Sequence, residues 1–257
     1  MSEKPKSFEE FYYKTIGDVC DIEEVIEYSD SHKGKIGYYE GQMFCPECRE
    51  AELYFVHKTS KRCAHLRRCP TTKHISECSY NYEYASKKHL QEYIDSLTCH
   101  EIQDKLNSII NMLFKESRGT EGAEGVLITG IPKDNPMLIT VKKEENVIRS
   151  LRRKRLNTWI DDADRDKLFV FYGKVKLKVI EKVKMLDGQE TYKYYMLEVF
   201  NPENKGGWKF RTSFYRGENK DDINEDNIYY IAVIGRVGNK AWQINLANIN
   251  AVKFVSI

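Results

Sequence analysis

Between Phe44 and Cys78 the chain places Cys45, Cys48, Cys63, His65, Cys69, His74 and Cys78, so that five of its seven cysteines fall within 35 residues. No other feature constrains the fold as strongly. Thiols at such short spacing either close disulfides or share a metal ion, and both outcomes pin segments that are far apart in sequence to one point. The number of cysteines is odd. The opening residues, "MSEKPKSFEEFYYKTIGD", lack the basic, apolar and small-residue order of a secretion signal, and no later run approaches a membrane span. The expectation is a cytoplasmic, metal-binding chain.

A structural zinc wants four ligands in a tetrahedron, and "CPEC" supplies the first two, Cys45 and Cys48, from a single tight turn. His74 and Cys78 are four apart, a spacing that puts both on one face of a helical turn at the entrance of the helical segment. The expected site is therefore Zn2+ held by Cys45, Cys48, His74 and Cys78. Cys63 or His65 with Cys69 is the competing second pair. In the preferred assignment His65 supplies an outer-shell donor, while Cys63 and Cys69 serve as apolar fillers.

The rest of the chain reads as α+β. Residues 1–40 are expected to form a short helix or two, and "KIGYYEGQMFC" a strand leading into the cysteines. Leu90, Ile94, Ile102, Leu106, Ile109 and Ile110 recur at helical intervals behind Ser86, a suitable N-cap. From Lys167 the period becomes two. Val175, Leu177 and Val179 alternate with Lys174, Lys176 and Lys178, "DGQ" marks a hairpin, and further strands follow between Gly, Asn and Pro breaks. Five or six short strands in this stretch fit a small antiparallel β-barrel of the OB type. The expected division is 1–118 for a zinc-binding module with a helical hairpin, 119–166 for a linker and basic mixed segment, and 167–257 for the barrel.

The net charge of +2 conceals two basic regions: residues 41–90 hold 9 Lys and Arg against 5 acidic residues, and residues 149–186 hold 12 against 5. Two such regions suit a polyanion. The candidates for phosphate contact are Lys61, Arg62, Arg67 and Arg68 in the cysteine segment, Arg152, Arg153 and Arg155 in "RSLRRKRL", and Lys174, Lys176 and Lys178 on the wet side of a strand. Tyr172, Tyr194, Trp208, Phe210, Phe214, Tyr215 and Trp242 form the pool of rings from which base-stacking positions would come. Trp159 follows the basic run. No serine-centred elbow, phosphate-cradling glycine loop or His-Glu-x-x-His helix occurs, and the two glycines of "VIGRVGN" suit a bulge or bend in a strand.

The run "MFCPECREAELYFVHKTSKRCAHLRR" resembles the amino-terminal zinc-ribbon-like region of competence CoiA-like proteins, in which a CPxC knuckle leads into a short strand and a histidine-centred motif. The resemblance covers about 35 of the 257 residues. It implies a zinc-bearing module tied to DNA metabolism, and in that family a nuclease domain follows. Here no apolar strand carries Asp or Glu with Lys two residues on; Glu203-x-Lys205 has the spacing within "NPENKGGW", a turn. The reading is a zinc-containing protein that binds nucleic acid, single strands above all, without cleaving it. The alternatives are an interaction subunit with a protein partner and a purely structural zinc, and a nuclease that assembles Asp161, Asp164 and Glu198.

Overall fold

The computed structural model describes residues 6–60, 62–114, 135–141, 147–158, 160–165, 167–186, 189–203, 206–238 and 242–257. Lys61, Trp159, Lys205 and most of the 187–189 turn lie outside them. The chain forms two compact units, one from Met1–Glu83 and Gly119–Leu138, the other from Tyr84–Arg118 and Ile139–Ile257.

The first unit begins with a hairpin, and one of the helices expected within residues 1–40 follows it. β1 (Glu10–Tyr13) pairs antiparallel with β2 (Asp18–Asp21), and Phe11, Tyr13 and Cys20 turn into the core. Asp21 then caps α1 (Ile22–Ser31), its side chain accepting from the Glu23 amide. The stretch expected as a strand before the cysteines is mostly a 3-10 turn over Gly37–Tyr39; only β3 (Met43–Phe44) pairs, with β1. β4 (Leu53–Val56) and β5 (His65–Arg68) make a second hairpin. Phe8, Phe11, Val25, Met43, Leu53 and Leu66 form the core together with Cys45, Cys48 and Cys78.

The second unit holds the helical hairpin. Ser86 caps α2 (Lys87–Asp95), and Thr98 caps α3 (Cys99–Leu113) with a full capping box to Glu101. Gln91 Nε2 donates to the Ala247 carbonyl at 3.3 Å, and Gln103 Nε2 donates to those of Asn250 and Val252 at 2.6 and 3.0 Å. These bonds tie the hairpin to the C-terminal strands, so it does not belong with the cysteine module as the sequence suggested.

Two short strands, β6 (Leu138–Val141) and β7 (Val147–Ser150), pair as a ribbon. β8 (Arg153–Arg155) runs parallel to β9 (Leu168–Leu186), the 19-residue strand that organises the sheet. The first half of β9 pairs with β12 (Tyr229–Val237), and its second half with β10 (Gln189–Pro202). β11 (Trp208–Gly217) flanks β10, while β13 (Ile244–Leu246) and β14 (Val252–Ser256) share the far edge of β12. The order β11-β10-β9-β12-β13 makes a curled half-barrel. Among the described residues β11 and β13 do not pair, so the sheet is not a closed barrel.

The alternation read from the sequence holds on β9: Val175 and Leu177 are buried while Lys174 is exposed, and Lys176 and Lys178 are partly so. Phe171, Leu197, Val199, Phe214, Ile231 and Val233 fill the inside of the curl. On the other face of the β9–β12 half, Phe114, just after α3, stacks on Tyr230 with ring centres 4.1 Å apart. Gly235 shows why one glycine of "VIGRVGN" is there: a Cβ would lie 2.7 Å from the Asn245 carbonyl oxygen on β13. No helix among the described residues is long and apolar enough to cross a membrane.

Candidate metal centre and basic surface

The knuckle forms because Cys45 and Cys48 sit in a turn closed at both ends. The Cys45 amide donates to the Ala51 carbonyl at 2.7 Å, and the Arg49 amide to the Cys45 carbonyl at 2.9 Å. Arg49 adopts φ +58°, left-handed backbone that glycine usually fills, and its guanidinium lies 4.5 Å from the centre of the Tyr12 ring.

His74 and Cys78 come from the irregular segment after β5. They do not share a helical turn: the Cys78 amide closes on the Ile75 carbonyl at 3.1 Å, and a 3-10 turn over Ser79–Asn81 follows. α2 starts only at Lys87. The spacing of four still brings both side chains to one point because the segment folds back on itself. The His74 ring packs beside the Phe8–Tyr80 pair, whose centres are 4.4 Å apart, at centre distances of 5.9 and 5.8 Å, and this contact orients its Nδ1.

The Sγ atoms of Cys45, Cys48 and Cys78 and a ring nitrogen of His74 all lie within 4.8 Å of one another. Cys45 and Cys78 are separated by 3.9 Å, and His74 Nδ1 stands 3.4 Å from Cys48 Sγ and 3.5 Å from Cys78 Sγ. Around a tetrahedral ion with metal–sulfur bonds of about 2.3 Å and metal–nitrogen bonds of about 2.0 Å, the edges would measure about 3.8 Å between sulfurs and about 3.5 Å between sulfur and nitrogen. The four residues lie close enough to bind a metal ion, and the three measured separations match those edges. The three cysteines are buried, which shields such a site from competing water.

Electrostatics favour a cation here. Hydrogen bonding to the Cys45 and Cys78 thiols holds the Cys48 thiol below the ordinary range. Burial pushes the Cys45 thiol up, and contact with Cys45 and then Cys48 pushes Cys78 up. Three thiols this close do not all ionise by themselves; a divalent cation compensates the charge and displaces the remaining protons.

The competing ligands stand apart from this cluster. Cys63 is exposed and Cys69 half-buried, so Cys63 is not the apolar filler expected. His65 is buried on β5, with its Nδ1 3.0 Å from the Cys63 carbonyl.

One contribution escaped sequence reasoning. Glu47, inside the knuckle, accepts from the Ser79 amide and hydroxyl at 2.6 Å each and from the Asn135 side-chain amide at 2.7 Å. It joins the two ligand-bearing turns to a third segment, and neither spacing nor composition signals such a partner.

The basic residues divide. On β5, Arg68 donates to the Cys69 and Thr72 carbonyls and Arg67 is half-buried; Arg62, in the loop before it, is exposed. The "RSLRRKRL" run lies on β7, β8 and the residues between and after them. Arg152 covers the Tyr84 ring at 4.0 Å, and Arg153 and Arg155 are half-buried. Lys154 is 2% exposed and paired with Asp164 at 2.9 Å, which also commits that carboxylate. Lys174, Lys176 and Lys178 share one face of β9, joined there by Lys182 and Lys184. Tyr172 and Phe214 belong to the interior, whereas Phe210 and Tyr215 are among the exposed rings. Arg211 turns inward to the Leu156 and Thr158 carbonyls, 3.0 Å from the Trp242 ring centre.

A comparison of the chain with protein families, curated proteins and solved structures finds no match in any of the three.

Proposed function

We propose that the protein is a zinc-containing, non-catalytic nucleic-acid-binding protein that prefers single strands. The observation that carries this is the row of five lysines, Lys174, Lys176, Lys178, Lys182 and Lys184, along one face of β9. A strand spaces alternate side chains by about 6.6 Å, so the row presents positive charge at an interval that an extended phosphate backbone can follow. The neighbouring half-barrel curl of β9, β10 and β11 supports the reading, because curled antiparallel sheets can offer an open face to oligonucleotides.

Zinc suits the four-ligand set, since three thiolates and one imidazole in a tetrahedron form a closed, structural type of site. In this role the ion holds together the segments that flank the loop of Arg62, Arg67 and Arg68 and supplies no chemistry to a substrate. The similarity of residues 43–68 to CoiA-like zinc ribbons fits the same reading. Seven free cysteines suit a reducing cytoplasm.

The test is a titration of labelled single-stranded and duplex DNA and RNA over a range of salt concentrations. Engagement of four or five lysines predicts a slope of about −3 for the logarithm of affinity against that of salt on single strands. Lys182→Glu with Lys184→Glu should flatten it. Absence of salt-dependent binding to all of these nucleic acids would overturn the proposal and turn the search toward a protein partner.

A further inference from the structure

The face of β9 that carries the lysines continues across β10 and β11, where it becomes aromatic. The register sets Tyr192 against Lys184, Tyr194 against Lys182 and Phe200 against Lys176. On β11, Tyr215 faces Met196, Phe210 faces Phe200 and Trp208 faces Pro202. The rings gather at two stations. At one, Tyr194 has its centre 5.7 Å from Tyr192 and 5.5 Å from Tyr215. At the other, Phe200 and Phe210 are 5.8 Å apart, and Lys176 sits 5.8 Å above the Trp208 ring.

The hydrophobic interior does not account for these rings. Leu177, Leu197, Val199 and Phe214 take the inside of the same strands, while Tyr192, Phe210 and Tyr215 remain 41%, 52% and 47% exposed. Among the described residues, Phe114 covers this side of the sheet at Tyr172 and Tyr230, in the β9–β12 half. Exposed rings in two clusters with a lysine beside each pair a π face with a phosphate partner, the combination that holds an unpaired nucleotide.

We infer that this face is the platform for a short unpaired run of nucleotides, with bases stacking at the Tyr194–Tyr215 and Phe200–Phe210 stations and phosphates following the β9 lysines. The inference rests on the nucleic-acid reading above and adds the site, the mode and the length. Tyr194 and Phe200 are six residues apart on β10, about 20 Å, which spans about six nucleotides at 3.4 Å each and fewer if the strand is extended. Glu198 lies between the stations in register with Lys178, which also pairs with Glu225 at 3.7 Å. Phosphate contact therefore concentrates at Lys176 and at Lys182 and Lys184. A duplex keeps its base faces stacked inside, an acidic peptide offers no faces to stack, and a second copy would set lysine against lysine.

The test uses the zinc-loaded full chain and fluorescently labelled oligo-dT and oligo-U of about 4 to 16 nucleotides, the range of such sites, with a duplex as comparison. Affinity should rise with length to about six nucleotides and then level off, and the duplex should bind more weakly. Tyr194→Ala and Phe210→Ala should each weaken binding about 5- to 150-fold, and Tyr194→Phe, which keeps the ring, should bind as wild type. If both alanine variants bind as tightly as wild type while Lys176→Glu and Lys182→Glu weaken binding, charge alone holds the strand; the platform is then refuted and the broader reading survives. If wild type binds no oligonucleotide, both fall. If it binds none and Phe210→Ala dissolves a dimer, the face belongs to a second copy.

Discussion

Replacing Glu47 with alanine would cut the joint that holds the two jaws of the metal centre together. Its carboxylate accepts three hydrogen bonds of 2.6 to 2.7 Å, from the Ser79 amide, the Ser79 hydroxyl and the Asn135 amide. Ser79 and Asn135 are 3% and 6% exposed, so water does not readily replace what is lost. The hydroxyl can rotate to a new partner and the Asn135 amide keeps its bond to the Glu77 carbonyl at 2.8 Å, but the backbone amide of Ser79 is left buried and unsatisfied, at about 1–3 kcal/mol. The cost is therefore about 1–3 kcal/mol, divided between folding of the first unit and metal affinity, since Ser79 adjoins Cys78 and Glu47 adjoins Cys48. Partners outside the ligand shell typically account for about 10- to 100-fold in affinity. Competition with a chromophoric chelator measures that share, and urea unfolding of the loaded protein measures the rest. Glu50→Ala, at an exposed position one turn away, is the control. A Glu47→Ala variant with an unchanged urea midpoint and affinity within about twofold of wild type would refute the reasoning, given the 10- to 100-fold expected.

Three further outcomes are expected in the second unit. Lys154→Met should destabilise it by about 3–5 kcal/mol in urea unfolding, because it leaves the Asp164 carboxylate without its buried partner, whereas Lys154→Met with Asp164→Leu should recover most of the loss. Burial pulls the Lys105 ammonium down to about 8, so between pH 8 and 10.5 the unfolded chain binds a proton that the folded chain does not. Stability should rise with pH across that window by at most about 3 kcal/mol, less the part screened by residual exposure, and Lys105→Met should abolish the rise. Gly235→Ala should cost about 1–3 kcal/mol in the same assay, since its Cβ would meet the backbone of β13.

The clustering of Cys45, Cys48, His74 and Cys78 was legible because its pattern is local: "CPEC" is a complete turn, and His74 with Cys78 follows at ligand spacing. What spacing did not reveal was the backbone conformation that delivers them, a folded-back loop instead of a helix. The caps at Ser86 and the alternation on β9 could also be read directly, since each depends on neighbours in sequence. The ownership of α2 and α3 could not, because it is decided by Gln91, Gln103 and Phe114 reaching strands well over a hundred residues away. The basic run misled for a similar reason. Composition counts Lys154 as surface charge, but β8 pairs with a strand buried on both faces and takes that lysine inside. Exposed rings became separable from core rings only with the β10–β11 register, whose shifts near Phe200 and Tyr195 set the face to which Phe210 and Tyr215 belong.

Native mass spectrometry of the purified chain mixed with a short oligo-dT bears most directly on a zinc-organised nucleic-acid-binding protein, because one spectrum reports both parts. The prediction is a chain carrying one zinc that forms a one-to-one complex with the oligonucleotide, and a Cys45→Ser variant that loses the metal. A metal-free wild-type chain, or a zinc-loaded chain that leaves the oligonucleotide unbound at every salt concentration, would contradict it.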